Sequence, residues 1–182
     1  MPTSTEIQQA ATIIRNDGVI SYPTESVFGL GCDPMSELAV NKILQLKQRS
    51  IDKGLIIVAA NLQQLNYYIE ITEQEKQKIL NEKNAVTWLV KKSKQAPHWV
   101  HGNHTKIAIR ISRHPTVVSL CNEINKPIIS TSANPAGLIP ATSKQKSMDY
   151  FSNNVDLYLD DSSDSSGQPT QIKDIESDAI IR

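Results

Sequence analysis

The sequence predicts a single α/β domain with a mixed sheet, extending over residues 1–182. Segments typical of strands and of helices alternate from one end of the chain to the other. Apolar residues make up 39% of the chain and charged residues 21%, as in ordinary globular proteins. A chain of this length buries one sizeable core, and neither internal repeats nor an obvious linker divides it.

The first part of the chain is predicted to contain two helices and two strands. Apolar residues recur at helical spacing over residues 5–16, and residues 19–24 are typical of a strand. A second helix is predicted over residues 36–48, where Ser36 suits the N-cap and an apolar stripe follows. Residues 54–60 form a compact apolar run, which is typical of a strand buried on both faces.

The alternation continues through the rest of the chain. Helical stretches are expected near residues 62–69 and 72–83, the second with Thr72 and Glu75 in capping-box spacing. The next elements, in the order strand, strand, helix, strand, helix, strand and short strand pair, are predicted over residues 85–90, 106–112, 115–124, 127–132, 142–151, 155–160 and 170–182. The polar run over residues 160–168 cannot bury itself, so it is predicted to be a mobile surface loop.

Composition argues against several classes of protein. The 19 basic and 19 acidic side chains give a net charge of zero, which argues against non-specific binding to nucleic acid. No apolar run approaches the roughly 20 residues that span a bilayer, and the N-terminus lacks the pattern of an export signal. The two cysteines, Cys32 and Cys121, form no paired motif, which favours a reduced, cytoplasmic protein.

Polar and charged groups gather where the predicted elements end. Four segments show this: residues 24–30 (TESVFGL), 47–49 (KQR), 108–115 (AIRISRHP) and 130–137 (STSANPAG). Each of them alone is typical of an ordinary turn, helix end or strand exit. In an open α/β sheet, however, such ends tend to converge on one crevice. The four segments together therefore predict a small-molecule site.

The four segments, in this order, resemble the YrdC family in its short single-domain form (TsaC). The resemblance extends from about residue 7 to the C-terminus, so it covers nearly the whole chain. In that family a Lys-x-Arg and a Ser-x-Asn element form a characteristic tetrad, which corresponds here to Lys47, Arg49, Ser132 and Asn134. The resemblance implies a twisted open sheet flanked by helices around a wide concave cavity.

The resemblance also implies a reaction. Members of the family combine L-threonine, bicarbonate and ATP into threonylcarbamoyl-adenylate and pyrophosphate, which is transferase chemistry. The adenylate is used by tRNA-modification proteins of the TsaB, TsaD and TsaE type to make threonylcarbamoyladenosine on tRNA. Mg²⁺ is expected to bind through the phosphates of ATP rather than in a protein cage, so no metal-ligating residues are predicted.

The expected nucleotide site consists of the tetrad and Arg110. Lys47 and Arg49 are expected to be catalytic, because attack of a carboxylate on the α-phosphorus joins two anions and demands fixed positive charge. Arg49 can hold an oxyanion through two parallel hydrogen bonds, and Arg110 supplies a third cation. Ser132 and Asn134 are neutral donors suited to phosphate or ribose oxygens, and their assignment to the nucleotide is what the resemblance implies. Replacing Lys47 or Arg49 by alanine is expected to abolish turnover and to leave the thermal midpoint nearly unchanged.

The expected L-threonine site is formed by the segment around Thr24. Tyr22, Thr24 and Ser26 are placed to hold the amino acid, and the assignment of Thr24 follows from the resemblance. Glu25, between them, is expected to be a structural or solvated carboxylate rather than a general base. Positioning and electrostatics would provide most of the catalysis, without a protein nucleophile.

Other features of the sequence receive less specific interpretations. His98, His101 and His104 recur at every third residue, but Pro97 and Gly102 break any regular helix, so a solvent-exposed loop rather than a metal site is predicted. Alternatively, the protein is an RNA-binding or ribosome-assembly factor that holds RNA on its concave face. Weak RNA binding is also compatible with the enzyme. The neutral charge and the 5% aromatic content argue against it. A hydrogenase-maturation fragment is a further alternative, which the absence of zinc-finger cysteines disfavours.

Overall fold

The computed structural model of the protein describes residues 1–160 and 170–182. Within them the chain forms six α-helices and eight strands. The helices are α1 Ser4–Arg15, α2 Glu37–Lys47, α3 Glu73–Asn81, α4 His98–His101, α5 Pro115–Ile124 and α6 Lys144–Phe151. The strands are β1 Ile20–Tyr22, β2 Gly29–Gly31, β3 Ile56–Ala59, β4 Val86–Lys91, β5 Lys106–Ile111, β6 Ile128–Ser132, β7 Leu157–Tyr158 and β8 Gln171–Asp174. The predicted surface loop, apart from Asp160, lies outside the described residues.

All eight strands belong to one sheet, in the order β7-β1-β2-β6-β3-β5-β4-β8. The pairs β1–β7, β3–β5 and β4–β8 are parallel, and the other four pairs are antiparallel. The mixed α/β architecture predicted from the sequence is therefore confirmed. Among the described residues, no helix is both long enough and apolar enough to cross a membrane.

Helix ends with local signals lie where the sequence predicts them. α5 begins with Pro115 at its first turn and ends before Asn125, whose left-handed conformation (φ 53°) stops the helix. α3 is preceded by the predicted capping box, in which Thr72 and Glu75 satisfy each other's backbone N–H groups. Both signals act within a few residues, which is why they can be recognised without knowledge of the tertiary structure.

Four elements differ from the predictions. β2 was not predicted, because two of its three residues are glycines, yet it pairs with both β1 and β6. The helix expected near residues 62–69 shortens to the 3-10 turn Leu62–Leu65, and β7 has only two of the six residues predicted. α4 replaces the loop expected around the histidines. It is one turn long and ends at Gly102, which closes it with a positive φ of 58°.

The sheet has two unequal faces. On one face, Ile57, Ile109 and Trp88 belong to the same apolar cluster as the buried residues of α2. On the other, Val58 and Ile128 pack against α1 and α5. These two helices cover only part of that second face. The next row of side chains lines a cavity instead. That row runs across β6, β3, β5 and β4 and consists of the paired residues Ser130, Ile56, Ala108 and Leu89.

Candidate active site

The open part of the sheet forms the floor of a cavity of about 470 Å³. Its apolar lining comes mainly from the middle of the sheet, and its polar lining comes from the ends of strands and from connecting segments. The polar and charged lining residues are Thr24, Ser26, Arg49, Lys53, His101, His104, Thr105, Lys106, Arg110, Ser130, Thr131, Ser132, Thr170 and Arg182. The cavity therefore brings residues from all four predicted segments to one place.

Thr24 and Ser26 line the cavity in the connection between β1 and β2, as the predicted L-threonine site requires. The Thr24 hydroxyl donates to the Val27 carbonyl oxygen at 2.7 Å and accepts from the Ser26 backbone N–H at 3.3 Å. These bonds fold the segment into a compact turn. Gly29 completes it, because a Cβ atom at Gly29 would lie only 3.3 Å from the Thr24 methyl carbon.

Tyr22 does not reach the cavity surface, in contrast to the predicted contact with L-threonine. Its side chain is fully buried, and its hydroxyl donates to the Ile129 carbonyl oxygen at 3.4 Å. The ring fills the space beside β2, since a Cβ atom at Gly31 would be 2.6 Å from it. Burial raises the pKa of the Tyr22 hydroxyl above its ordinary value. Tyr22 therefore supports the wall of the cavity from behind.

Lys47 is the last residue of α2, and its ammonium group points into the connection that follows β6. Nζ donates to the carbonyl oxygen of Ser132, to that of Asn134 at 2.8 Å and to Asn134 Oδ1 at 3.4 Å. Only 4% of the residue is exposed, and it does not belong to the cavity lining. Burial, together with the nearby charge of Arg49, lowers the pKa of Lys47 to about 8.

Asn134 is similarly turned toward its own segment. Its Nδ2 donates to the carbonyl oxygens of Leu138 at 2.7 Å and Pro135 at 2.9 Å. The Lys47 carbonyl oxygen in turn accepts from the Ala136 backbone N–H at 2.8 Å. The hydrogen bonds of Lys47 and Asn134 thus hold the connection after β6 in place. Of the Ser-x-Asn pair, Ser132 contributes directly to the cavity lining.

Arg49 follows Lys47 after one residue, Gln48, which ends α2 in the left-handed conformation (φ 52°). This turn directs Arg49 into the cavity. Its Nη2 donates to the Gly54 carbonyl oxygen at 2.9 Å, while its Nε is buried without a hydrogen-bond partner among the described residues. Burial, and to a lesser degree the charge of Arg182, lowers the pKa of Arg49. A guanidinium with an unused buried N–H is suited to receive an anionic ligand.

Arg110 lies on β5, lines the cavity and is 5% exposed. Its Nη1 donates to the Thr170 hydroxyl at 2.9 Å, and that hydroxyl also lies 3.2 Å from the hydroxyl of Thr87 on β4. Its Nη2 is 3.8 Å from Glu25 Oε2. Burial alone would raise the pKa of Glu25, but Arg110 and the Ser112 hydroxyl outweigh it and lower that pKa.

Several lining residues were not among the predicted site residues. His101 was assigned to a solvent-exposed loop, and this prediction is wrong: it is half-buried on α4 and lines the cavity beside His104. Burial lowers its pKa. Lys53, Lys106 and Arg182 also line the cavity. No local signal marks them, because they come from three segments that are distant in sequence. The described residues contain no group of three or more His, Cys, Asp and Glu side chains arranged to hold a metal ion.

The charged side chains that line the cavity among the described residues are all basic. Five of the described residues that line it are lysine or arginine, and none of them is aspartate or glutamate. Two of these cations have acidic partners outside the lining: Lys106 is paired with Asp174 and Glu176, and Arg110 with Glu25. Cations at the wall above an apolar floor suit a ligand that has anionic groups at one end and an uncharged ring or side chain at the other.

Comparison with known proteins agrees with these features. The model of the Sua5/YciO/YrdC family, described as "Telomere recombination", matches residues 12–182. The chain is 48% identical to the threonylcarbamoyl-AMP synthase of Pseudoalteromonas atlantica, over 90% of this chain and 89% of that protein. P. abyssi Sua5 complexed with L-threonine superimposes with a TM-score of 0.89 at 28% identity, over 96% of this chain. This chain spans about half, 52%, of that Sua5 chain.

A further solved structure, E. coli YciO, matches all of this chain and 90% of its own length with a TM-score of 0.82 at 24% identity, which supports the fold. The resemblance predicted from the four segments is confirmed by the family model and by relatives of high identity over most of the chain. The chain belongs to the Sua5/YciO/YrdC family.

Proposed function

We propose that this protein is a threonylcarbamoyl-AMP synthase, which converts L-threonine, bicarbonate and ATP into threonylcarbamoyl-adenylate and pyrophosphate. The relative from Pseudoalteromonas atlantica carries this name, and P. abyssi Sua5 has been crystallised with L-threonine. The observation on this chain that carries the proposal is the cavity, where five basic residues and no acidic residue line the described walls above an apolar floor.

The proposed reaction needs a site that favours negative charge. The amine of L-threonine first bonds to the carbon of bicarbonate, which loses one oxygen as water, and an oxygen of the resulting carbamate then attacks the α-phosphorus of ATP. The bond from that phosphorus to the bridging oxygen breaks, and pyrophosphate leaves. Two anions meet in this step, so fixed cations at the reacting phosphate lower the barrier. Arg49 and Arg110, which both line the cavity, are proposed to provide them.

The remaining predicted residues divide into contacts and supports. Ser132 is proposed to donate its hydroxyl to the nucleotide, and Thr24 and Ser26 to hold L-threonine, since all three line the cavity. Lys47 and Asn134 are proposed to act on the nucleotide from behind Ser132, because their polar groups hold the segment that carries it. The cavity would also shield the labile carbamate from water, which would otherwise return it to threonine and bicarbonate.

Mg²⁺ is proposed to enter with the nucleotide. The described cavity lining offers no carboxylate to hold the ion, so oxygens of the triphosphate would carry it and neutralise part of their charge. We further propose that the adenylate passes to tRNA-modification proteins of the TsaB, TsaD and TsaE type. Because the reaction consumes ATP and serves tRNA modification, the proposed location is the cytoplasm.

The test is pyrophosphate release by the purified protein, with and without L-threonine and bicarbonate. The proposal requires release that depends on both, together with a threonylcarbamoyl-adenylate peak in the mass spectrum. Serine at the same concentration is the matched control for recognition of the amino acid. Absence of release from folded protein would contradict the proposal, and tight RNA binding with steep salt dependence would then favour the RNA-binding alternative.

A further inference from the structure

Glu25 connects two parts of the active site that are distant in sequence, the β1–β2 connection and the segment from Arg110 to His114. Its Oε1 accepts from the Ser112 hydroxyl, from the Arg113 backbone N–H at 3.1 Å and from the His114 backbone N–H at 3.3 Å. These three donors lie between the end of β5 and the first residue of α5. A carboxylate at a helix N-terminus is favoured by the helix dipole and by the free N–H groups there. Glu25 therefore attaches the β1–β2 connection to the start of α5.

The second oxygen of Glu25 faces Arg110. Oε2 is buried and has no hydrogen-bond partner among the described residues, and it lies 3.8 Å from Arg110 Nη2. A carboxylate oxygen that has lost its water and gained no hydrogen bond is costly, and a guanidinium nearby offsets that cost. The two side chains are 18% and 6% exposed, so solvent screens this attraction only weakly.

Glu25 itself does not line the cavity, although its neighbours Thr24 and Ser26 do. Its Oε2 is buried and its Oε1 already accepts from three donors, which favours a structural role over that of a general base. Its contacts lead instead to Arg110, which does line the cavity. On its other side Arg110 is held by the Thr170 hydroxyl, so the guanidinium lies between a carboxylate and a hydroxyl.

We propose that Glu25 is a positioning residue, which aims the Arg110 guanidinium at the phosphates of the nucleotide from a fixed point at the start of α5. This inference rests on the proposed function in so far as Arg110 contacts ATP. Within that function, Glu25 is the residue that orients the Arg110 guanidinium. A guanidinium without this partner would have several rotamers available, and the nucleotide would have to order it on binding.

The test is a double-mutant cycle on the equilibrium binding of a non-hydrolysable ATP analogue, measured by calorimetry. Glu25→Gln keeps the size of the side chain and removes its charge, and it is expected to weaken binding about tenfold. Arg110→Gln is expected to weaken binding at least as much. If Glu25 acts through Arg110, the double variant binds within about twofold of Arg110→Gln. Multiplication of the two single effects in the double variant would overturn the inference.

Glu75→Gln is the matched control. Glu75 also accepts a backbone N–H and a hydroxyl at a helix N-terminus, both from Thr72, but it lies on α3 away from the cavity lining. Glu75→Gln is therefore expected to leave binding of the ATP analogue unchanged. A loss equal to that of Glu25→Gln would mean that general destabilisation explains both, and would overturn the inference.

Two further measurements keep the test decisive. Ser112→Ala retains both charges and removes one hydrogen bond to Glu25, so it is expected to weaken binding about threefold even if Glu25→Gln does not fold. Unchanged binding by this variant would contradict the inference. Wild-type protein that binds the analogue but releases no pyrophosphate would contradict the proposed function alone, whereas wild-type protein that binds no nucleotide would overturn the inference as well.

Discussion

Lys47 and Arg110 are two buried cations of the same site, but the protein surrounds them in opposite ways. Lys47 has three neutral oxygens around its ammonium group, from Ser132 and Asn134. Arg110 has a hydroxyl on one side and the carboxylate of Glu25 on the other. Neutral oxygens compensate a buried charge less well than a carboxylate does. One cation can therefore lose its charge near neutral pH, while the other is held as half of an ion pair.

Lys47 and Arg110 also have different structural roles. Lys47 stabilises the segment after β6 that presents Ser132, and it lies behind the cavity wall. Arg110 is itself part of the wall and depends on other residues for its orientation. Substitutions at the first site should consequently affect folding and activity together, and substitutions around the second should affect nucleotide binding with less change in stability.

The largest effect is expected from Lys47→Met. The variant removes the donor for two partly buried carbonyl oxygens, so we expect the free energy of unfolding to fall by about 1–3 kcal/mol. We also expect at least about a 100-fold loss in pyrophosphate release, since the segment carrying Ser132 loses its support. Burial of Lys47 thus revises the expectation from sequence that the thermal midpoint would hardly change. Thermal unfolding and release assays on the same preparation measure both quantities.

Lys42→Met is the matched control for this experiment. Lys42 is also on α2, but it is half-exposed and paired with Asp156 at the surface. Such a pair contributes about 0–1 kcal/mol, and activity should stay within twofold of the wild type. Equal losses of activity in both variants would contradict the special role of Lys47.

The next effect is a pH dependence. Because the pKa of Lys47 is lowered to about 8, nucleotide affinity should fall by up to about tenfold per pH unit above 8, as the ammonium loses its proton. The sign for stability is opposite. The folded protein holds this proton less tightly than the unfolded chain. The contribution of Lys47 to the free energy of unfolding therefore rises as the pH increases from about 8, the pKa in the folded protein, to 10.5, the ordinary pKa of lysine.

Calorimetric titration of the ATP analogue between pH 7 and 10 measures the first part, and thermal unfolding over the same range measures the second. Lys47→Met, which has no titrating group at this position, should show neither trend. An affinity of the wild type that is constant across pH 8 would contradict this account of Lys47.

A smaller effect is expected from Arg49→Lys. Arg49 donates to the Gly54 carbonyl oxygen and still has a buried, unused Nε–H, whereas lysine cannot present two donors in one plane. We expect about a tenfold lower kcat/KM for ATP. Arg113→Lys is the control, because the Arg113 guanidinium also donates to two backbone carbonyl oxygens, those of Lys83 and Glu82, outside the cavity. A similar loss in both variants would place the cause outside the active site.

The smallest effect concerns the hydroxyl side of Arg110. Thr87→Val removes the buried hydroxyl that lies 3.2 Å from the Thr170 hydroxyl, so Thr170 should hold Arg110 less firmly. We expect about threefold weaker binding of the ATP analogue, and Thr87→Ser should restore it. Equally weakened binding by Thr87→Ser, which keeps the hydroxyl and removes the methyl group, would show that side-chain packing at this position, and not the hydroxyl alone, is responsible.

The elements that the sequence predicts well are those with local causes. α5 was predicted with its observed limits, because Pro115 and the residue after Ile124 define its ends. β2 could not be predicted, because two of its three residues are glycines and its stability comes from pairing with β1 and β6. Short elements with weak propensity depend on their neighbours, and those neighbours are distant in sequence.

The candidate site divides in the same way. Motif order identified the segments that carry Thr24, Arg49, Arg110 and Ser132, all of which line the cavity. Motif order did not distinguish Tyr22, which supports the wall, from Thr24, which belongs to it. Residues two positions apart share a face of a continuous strand, but β1 ends at Tyr22 and Thr24 lies in the turn that follows.

By itself, the sequence determined the α/β class, the main helices and the family to which the chain belongs, because periodicity, caps and motif order are properties of short segments. Only the tertiary structure decided which oxygens surround Lys47, that Glu25 faces Arg110, and that His101 and Arg182 join the cavity. These contacts join residues far apart in the chain. Their geometry follows from the pairing of eight strands, and no local pattern encodes it.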